Sequence, residues 1–230
     1  MTLQEDPKDI VVVGAARTPQ GRMLGALAKK SSVDLGAETI KAVLERSGVA
    51  AGDVDYVLMG QVVQAGSGQN PAKQSAVAAG IPMNVPAMTV NKVCLSGLDA
   101  VINASRLIRL GDASIVVAGG QESMTNAPHI AAGVRAGKGY GSLALQDSLE
   151  RDGLSDPNEG TAMGLETDEG NAERGITREE QDEIAARSHQ LAEAATNEGV
   201  FAEEIVPIEV KGRKLSLIHI SEPTRQEAIS

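Results

Sequence analysis

The sequence predicts an α/β fold with a mixed, mostly parallel sheet and helices packed on it. Short apolar, β-branched runs at 10–13, 54–59, 87–90 and 113–118 alternate with segments of helical apolar spacing at 33–45, 71–79 and 95–110. That alternation is the mark of strand-helix-strand units, whose strands pair in parallel through right-handed crossovers. Most of these runs are closed by glycine: Gly14, Gly48, Gly60, Gly111 and Gly119 each follow one. Glycine is the residue that ends helices in the left-handed conformation and opens turns.

Each element has its own local cause. Residues 10–13 (IVVV) read as a buried strand, since β-branched side chains fit a pleated surface. Residues 33–45 read as a helix stopped at Ser47-Gly48. Residues 54–59 read as a second strand. The segment 66–71 (GSGQNP) is a loop, and Pro71, whose missing N–H costs nothing in a first turn, opens the next helix. Residues 87–90 and 113–118 read as strands around a helix at 95–110. After Gln121 the pattern weakens, and 121–160 is rich in Gly, Ser, Asn and Asp. Thr177-Arg-Glu-Glu180 is then a capping box, with a hydroxyl for open N–H groups and a carboxylate reaching back. The helix it starts, expected over 181–195, carries Ile184, Ala185, Ser188, Leu191, Ala192 and Ala195 on one face. Residues 205–210 alternate and read as a strand.

Composition excludes several functions. Aromatic residues make up 1% of 230 positions, and the net charge is −10, so neither base stacking nor an electrostatic nucleic-acid footprint is available. A single Cys rules out an internal disulfide and fits a reducing compartment. One Cys and three scattered His give no zinc-ligand spacing, so no metal is expected. No apolar run reaches membrane-spanning length, and the polar start of the chain is no secretory signal, so no membrane partner is expected. Acidic residues concentrate late. Residues 1–150 carry 13 basic and 13 acidic side chains, while 151–214 carry 7 and 16, a run read as a solvated helical surface beyond a boundary near 146–152.

The feature with chemical potential is NKVCLSG at 91–97, between a predicted strand and a predicted helix. A side chain at such an elbow stands at the helix N-terminus, where open N–H groups and the positive dipole end favour an anion. Thiol pKa values fall at helix N-termini, so Cys94 is placed where a thiolate nucleophile would be made. The competing reading is a small buried hydrophobe, the commoner fate of a lone Cys. Gly97 would let a substrate or a neighbouring strand come close.

Five motifs then keep one order: AARTP at 15–19, GQNPAKQ at 68–74, NKVCLSG at 91–97, GGQESM at 119–124 with APH at 127–129, and MG at 163–164 before the capped helix. Together, from about residue 10 to 214, they resemble the thiolases, which are acyl-CoA C-acyltransferases. The resemblance implies a thiolase-like layered fold. Its parts would be an N-terminal core at 1–122, an incomplete, α-rich substrate and CoA loop domain at 123–214, and a tail at 215–230. It implies that Cys94 carries an acyl group as a thioester, in thiolytic cleavage of a 3-ketoacyl-CoA or condensation of acetyl-CoA. The backbone N–H of Cys94 would be one donor to the thioester oxygen. Leu154, in DGLS at 152–155, and Met163, in AMG at 162–164, match positions lining the pantetheine and acyl channel. Some relatives have His before that Met-Gly where this chain has Ala162, which leaves acyl-chain specificity unassigned. His129 is read as structural and His189 as a surface or interface residue. Acyl-CoA and CoA are the implied partners, with coenzyme A a co-substrate and no bound cofactor. A cytoplasmic homodimer or homotetramer is implied for the full-length protein.

Family members are nearly twice as long. Their second half brings a His in a Gly-His-Pro motif, an Asn that helps hold a water, and a second Cys as acid/base. None of these is in this chain, so the fragment by itself is expected to be inactive. KGRK at 211–214 still resembles the family. From Leu215 the residues LSLIHISEPTR are similar to a translated frame of transposase-type sequencing-adaptor DNA, which makes 215–230 an expected non-native, dispensable tail on a truncated reading frame. Two other functions fit parts of the pattern. A ketoacyl-synthase-like condensing enzyme also sets Cys at a strand-helix elbow, though NKVC and GGQESM favour thiolase. A non-catalytic acyl-CoA-binding homologue would differ by losing the Gly-His-Pro and second Cys motifs.

Overall fold

The computed structural model describes residues 9–211 and 215–218. They fall into two compact units: residues up to Asn126 together with those from Val206 onward, and Ala127–Ile205.

The first unit is a three-stranded parallel sheet covered on both faces. Its strands are β1 (Tyr56–Gly60), β2 (Ala87–Val90) and β3 (Val116–Gly120), in the order β2-β1-β3. Its helices are α1 (Ser32–Ser47), α2 (Pro71–Ala78) and α3 (Ser96–Leu110). Local signals place the ends of α1. Ser31 and Asp34 form a capping box at its start, and Gly48, at φ +70°, closes it in the left-handed region. In α2, Asn70 caps the N-terminus and Pro71 occupies the first turn. Gly111, at φ +79°, ends α3.

The connections β1→β2 and β2→β3 travel in opposite directions along the sheet. Parallel connections keep a right hand, so α2 and α3 must cover opposite faces. The core is divided that way. Val57 and Met59 of β1 pack with Ile40 and Leu44 of α1 and Ala72 and Ala76 of α2. Leu58, pointing to the other side, packs with Ala100 and Ala104 of α3.

Two expected strand ends move. β1 and β3 run through Gly60 and Gly120, which pair directly, and Gly60 also pairs with Val90. These glycines close the strands from inside the ladder, because α3 starts directly against them (below). The expected first strand is a correction. Residues 10–13 join no ladder, and Val11, Val12 and Val13 are exposed. A strand needs a partner as well as a propensity. Here the segment is tied to α1 instead: Gly14 lies against Val43 and Ser47, and Arg46 donates to the Ala15 carbonyl.

The second unit holds the short antiparallel pair β4 (His129–Ile130) and β5 (Gln146–Asp147), a π-helical turn over Glu150–Leu154, and the helices α4 (Met163–Glu173) and α5 (Arg178–Asn197). The Thr177–Glu180 capping box forms at the start of α5. On its apolar face Ile184, Ser188, Leu191 and Ala192 are exposed and Ala185 and Ala195 half-buried, with no buried residue on the helix. Helix α4 had no sequence signature: no side chain caps it, and Gly164 and Gly170 interrupt it.

In the first unit β6 (Ile208–Lys211) pairs antiparallel with β7 (Leu215–Ile218), so the first four residues of the expected tail lie in a ladder. The remainder of 215–230 lies outside the described residues. No described helix is long and apolar enough to cross a membrane.

Candidate active site

The register of the sheet sets the site. Because Gly60 lies beside both Val90 and Gly120, the chain leaves the three strands at one level, at Gln61, Asn91 and Gln121. The segment after β1 leads to α2 on one face, and the segment after β2 leads to α3 on the other. Adjacent strands whose exits diverge open a crevice at their carboxyl ends, where α/β sheets bind ligands. Asn91 spans that divergence, donating from Nδ2 to the Val62 carbonyl at 3.2 Å.

Cys94 stands three residues beyond Asn91, where this exit starts, and is exposed, so it is not a small buried hydrophobe. It precedes Ser96, the first residue of α3, by two positions, and Leu95 at the N-cap provides no side-chain cap. The elbow is tight. Val93 has φ +49°, a left-handed conformation that a β-branched residue adopts at a cost of about 1–3 kcal/mol. Neighbouring groups hold it there. The Val93 N–H donates to Asn91 Oδ1 at 3.0 Å. Ser96 Oγ accepts from the Lys92 N–H at 2.8 Å and donates to the Val93 carbonyl at 2.5 Å. Ser96 is buried, and its hydroxyl staples the chain on both sides of the exposed Val93.

Glycine brings α3 to the sheet. A Cβ on Gly60 would lie 2.5 Å from the Gly97 nitrogen and 2.7 Å from Ser96 Cβ. A Cβ on Gly97 would meet Gly120 Cα at 3.6 Å. Gly97 therefore makes the close approach to a neighbouring strand that its position suggested.

Charge around the elbow is local and paired. Lys92 Nζ binds Asp99 Oδ1 at 2.8 Å. That ammonium holds the Asp99 carboxyl below its ordinary range, with Asn103 adding a hydrogen bond. Behind the elbow, Gln121 Nε2 donates to Gln61 Oε1 at 3.1 Å and Ser75 Oγ donates to Gln121 Oε1 at 2.6 Å. Gln61 also donates to the Val63 carbonyl and Ser67 Oγ, which shapes the segment after β1. Glu122 Oε2 accepts from the Val62 and Val63 N–H groups at 2.7 and 3.3 Å. Burial pushes the Glu122 carboxyl above its ordinary range, against the opposing pull of backbone N–H groups from Val62, Val63 and Ser123. Among the described residues, no three His, Cys, Asp or Glu side chains gather to hold a metal.

A family model described as the thiolase N-terminal domain matches residues 10–229. The chain belongs to the thiolase family. Among curated relatives, a probable acetyl-CoA acetyltransferase of Mycobacterium leprae is 51% identical over 212 residues, covering 92% of this chain and 54% of the relative. An acetyl-CoA acetyltransferase of Cupriavidus necator is 53% identical over 206 residues, covering 90% and 52%. A probable acetyl-CoA acetyltransferase of Escherichia coli is 47% identical over 211 residues, covering 92% and 54%. This thiolase chain thus spans about half the length of the curated relatives it matches.

The other residues singled out from the thiolase resemblance lie in the second unit. Leu154 ends the π-helical turn and Met163 opens α4, and both are exposed. His129 is exposed on β4, paired with Asp147, and His189 is exposed on α5. Sequence reasoning placed Asn91 and Ser96 in the elbow motif without giving either a role, and it missed Glu122. A Ser two residues after the Cys, at a helix start, was a usable signal for the staple. Glu122 had none, since its partners lie about 60 residues away.

Proposed function

We propose that the protein is an acyl-CoA C-acyltransferase of the acetyl-CoA acetyltransferase type, with Cys94 as the residue that carries the acyl group. The observation that carries this reading is the exposed Cys94 on a strained, stapled elbow, at the carboxyl end of the sheet, in a chain of the thiolase family. The Cys94 thiolate adds to the carbonyl carbon of an acyl donor. In cleavage of a 3-ketoacyl-CoA the bond from that carbon to the next breaks, and the carbanion takes a proton to leave as acetyl-CoA. The CoA thiol then attacks the Cys94 thioester, and the acyl group departs on CoA while the thiol is regenerated. Condensation of two acetyl-CoA molecules runs these steps in reverse. The oxygen gains charge in each addition, and the Cys94 N–H is the donor we assign to it. In the same reading, Leu154 and Met163 line the path of pantetheine and acyl chain, CoA is a co-substrate, and the protein works in the cytoplasm as a homodimer or homotetramer.

The test is acetylation of the chain by acetyl-CoA, read by peptide mass mapping, with iodoacetamide labelling alongside. Acetyl transfer is expected at Cys94, alkylation near neutral pH should outpace that of a free peptide thiol, and acetyl-CoA should block it. Cys94→Ser should abolish the adduct, a hydroxyl being a far weaker nucleophile at that pH. Acetylation elsewhere with Cys94 untouched would overturn the reading.

A further inference from the structure

We infer that Glu122 is a positioning residue for Cys94, acting across the strand ends through Val62 and Asn91; this rests on Cys94 being the acyl-accepting thiol. The connection is continuous and polar. One carboxylate oxygen of Glu122, just past the end of β3, accepts from the N–H groups of Val62 and Val63, just past the end of β1. The Val62 carbonyl accepts from Asn91 Nδ2, just past the end of β2. Asn91 Oδ1 accepts from the N–H of Val93, the left-handed residue that turns the chain into Cys94. Three strand ends are thereby joined by side chains at the level where the ladder stops.

The chemistry of this link differs from that of a core contact. Val93 sits in a conformation its side chain disfavours, and such a residue relaxes unless its neighbours over-determine it. The Ser96 hydroxyl holds it from the helix side, and Asn91 holds it from the strand side. Asn91 is itself oriented only if its amide donor has a fixed acceptor. That acceptor is the carbonyl of Val62, whose own N–H is held by Glu122. The other Glu122 oxygen is buried without a hydrogen-bond partner, so the carboxylate sits here at a desolvation cost that the bonded oxygen offsets. What the elbow requires from Glu122 is an acceptor oxygen at that place. A glutamine can supply it and an alanine cannot.

The experiment is a double-mutant cycle on the chain, whose single Cys makes labelling unambiguous. Second-order iodoacetamide rates at Cys94 are measured well below the thermal midpoint for the parent, Glu122→Ala, Glu122→Gln, Asn91→Ala and Glu122→Ala with Asn91→Ala. Glu122→Ala is expected to slow labelling by about fivefold, within the coupling range of residues in one hydrogen-bond network. Glu122→Gln should stay within about twofold of the parent. In the Asn91→Ala background the effect of Glu122→Ala should vanish, because the connection is already cut. Where Glu122→Ala is not folded at the assay temperature, Glu122→Asp takes its place, with the carboxylate withdrawn by one methylene and the same outcome expected. Additive effects of the two substitutions, or an unchanged rate in Glu122→Ala, would overturn the inference. A parent Cys94 no more reactive than a peptide thiol would instead count against the nucleophile reading, and the cycle would still report whether Glu122 and Asn91 are coupled.

Discussion

Gly60 and Gly97 meet where β1 ends and α3 begins: a methyl group built on Gly60 would stand 2.5 Å from the Gly97 backbone nitrogen. The neighbour is backbone, which cannot rotate away as a side-chain tip can. Gly60→Ala must therefore push the start of α3 off the sheet, and Cys94 with it. We expect a loss of about 1–3 kcal/mol, the usual cost of overpacking, measured by urea unfolding. Cys94 labelling should change in the same variant, whereas an unfolding midpoint equal to the parent's would mean the contact is looser than the geometry states.

Ser96→Ala removes the hydroxyl that both accepts from Lys92 and donates to Val93. The part-buried Lys92 N–H then loses its acceptor, which costs about 0.5–1.5 kcal/mol. The staple also holds Val93 at φ +49°, so native-state hydrogen exchange at residues 92–96 should rise more than in the rest of α3. Uniform exchange along α3 would show that the staple is not what fixes the elbow.

Glu122 has a carboxyl whose value in the folded protein is raised, chiefly by burial. A raised folded value means the folded state binds the proton more tightly than the unfolded chain. The stability this provides is complete below the unfolded glutamate range, near pH 4.3, and is lost as pH rises through the higher folded value. Glu122→Gln stays neutral throughout. Its melting temperature relative to the parent should therefore increase as pH rises across that window, read by calorimetry, because other carboxylates cancel in the comparison. A difference that shrinks with rising pH would contradict the sign.

We read residues 215–230 as a dispensable tail, although β7 pairs its first four residues with β6 and the family match runs through residue 229. The strand β7 pairs with, β6, carries the fully buried Ile208, and 215–218 add a single further strand to it. Ending the chain at Lys214 should cost less than about 1 kcal/mol, by urea unfolding of the two proteins. A larger loss would assign β7 to the fold.

Acetoacetyl-CoA cleavage by the chain alone should fall more than tenfold below that of an intact thiolase. The carbon-bound proton needs a second acid/base, a contribution of roughly 10²–10⁴-fold, and this chain has one Cys and spans about half of its relatives. Thioester formation at Cys94 without turnover is the expected result, and turnover near that of an intact enzyme would show that the chain holds its own proton acceptor.

What the sequence determined by itself was whatever depends on neighbours a few positions apart. The Thr177 capping box, Pro71 in a first turn, the left-handed stops at Gly48 and Gly111, and the strand-helix setting of Cys94 all rest on such contacts. Tertiary structure decided what depends on partners far along the chain. Residues 10–13 have strand propensity and no ladder, since propensity does not supply a neighbouring edge. Gly60 and Gly120 end their strands inside the sheet because α3 lies on them, a contact between segments tens of residues apart. Helix α4 forms without a cap, so no local signal announced it. The Glu122–Val62–Asn91 connection joins three strand ends, and only the register that brings Gly60 beside both Val90 and Gly120 puts those groups within hydrogen-bond reach.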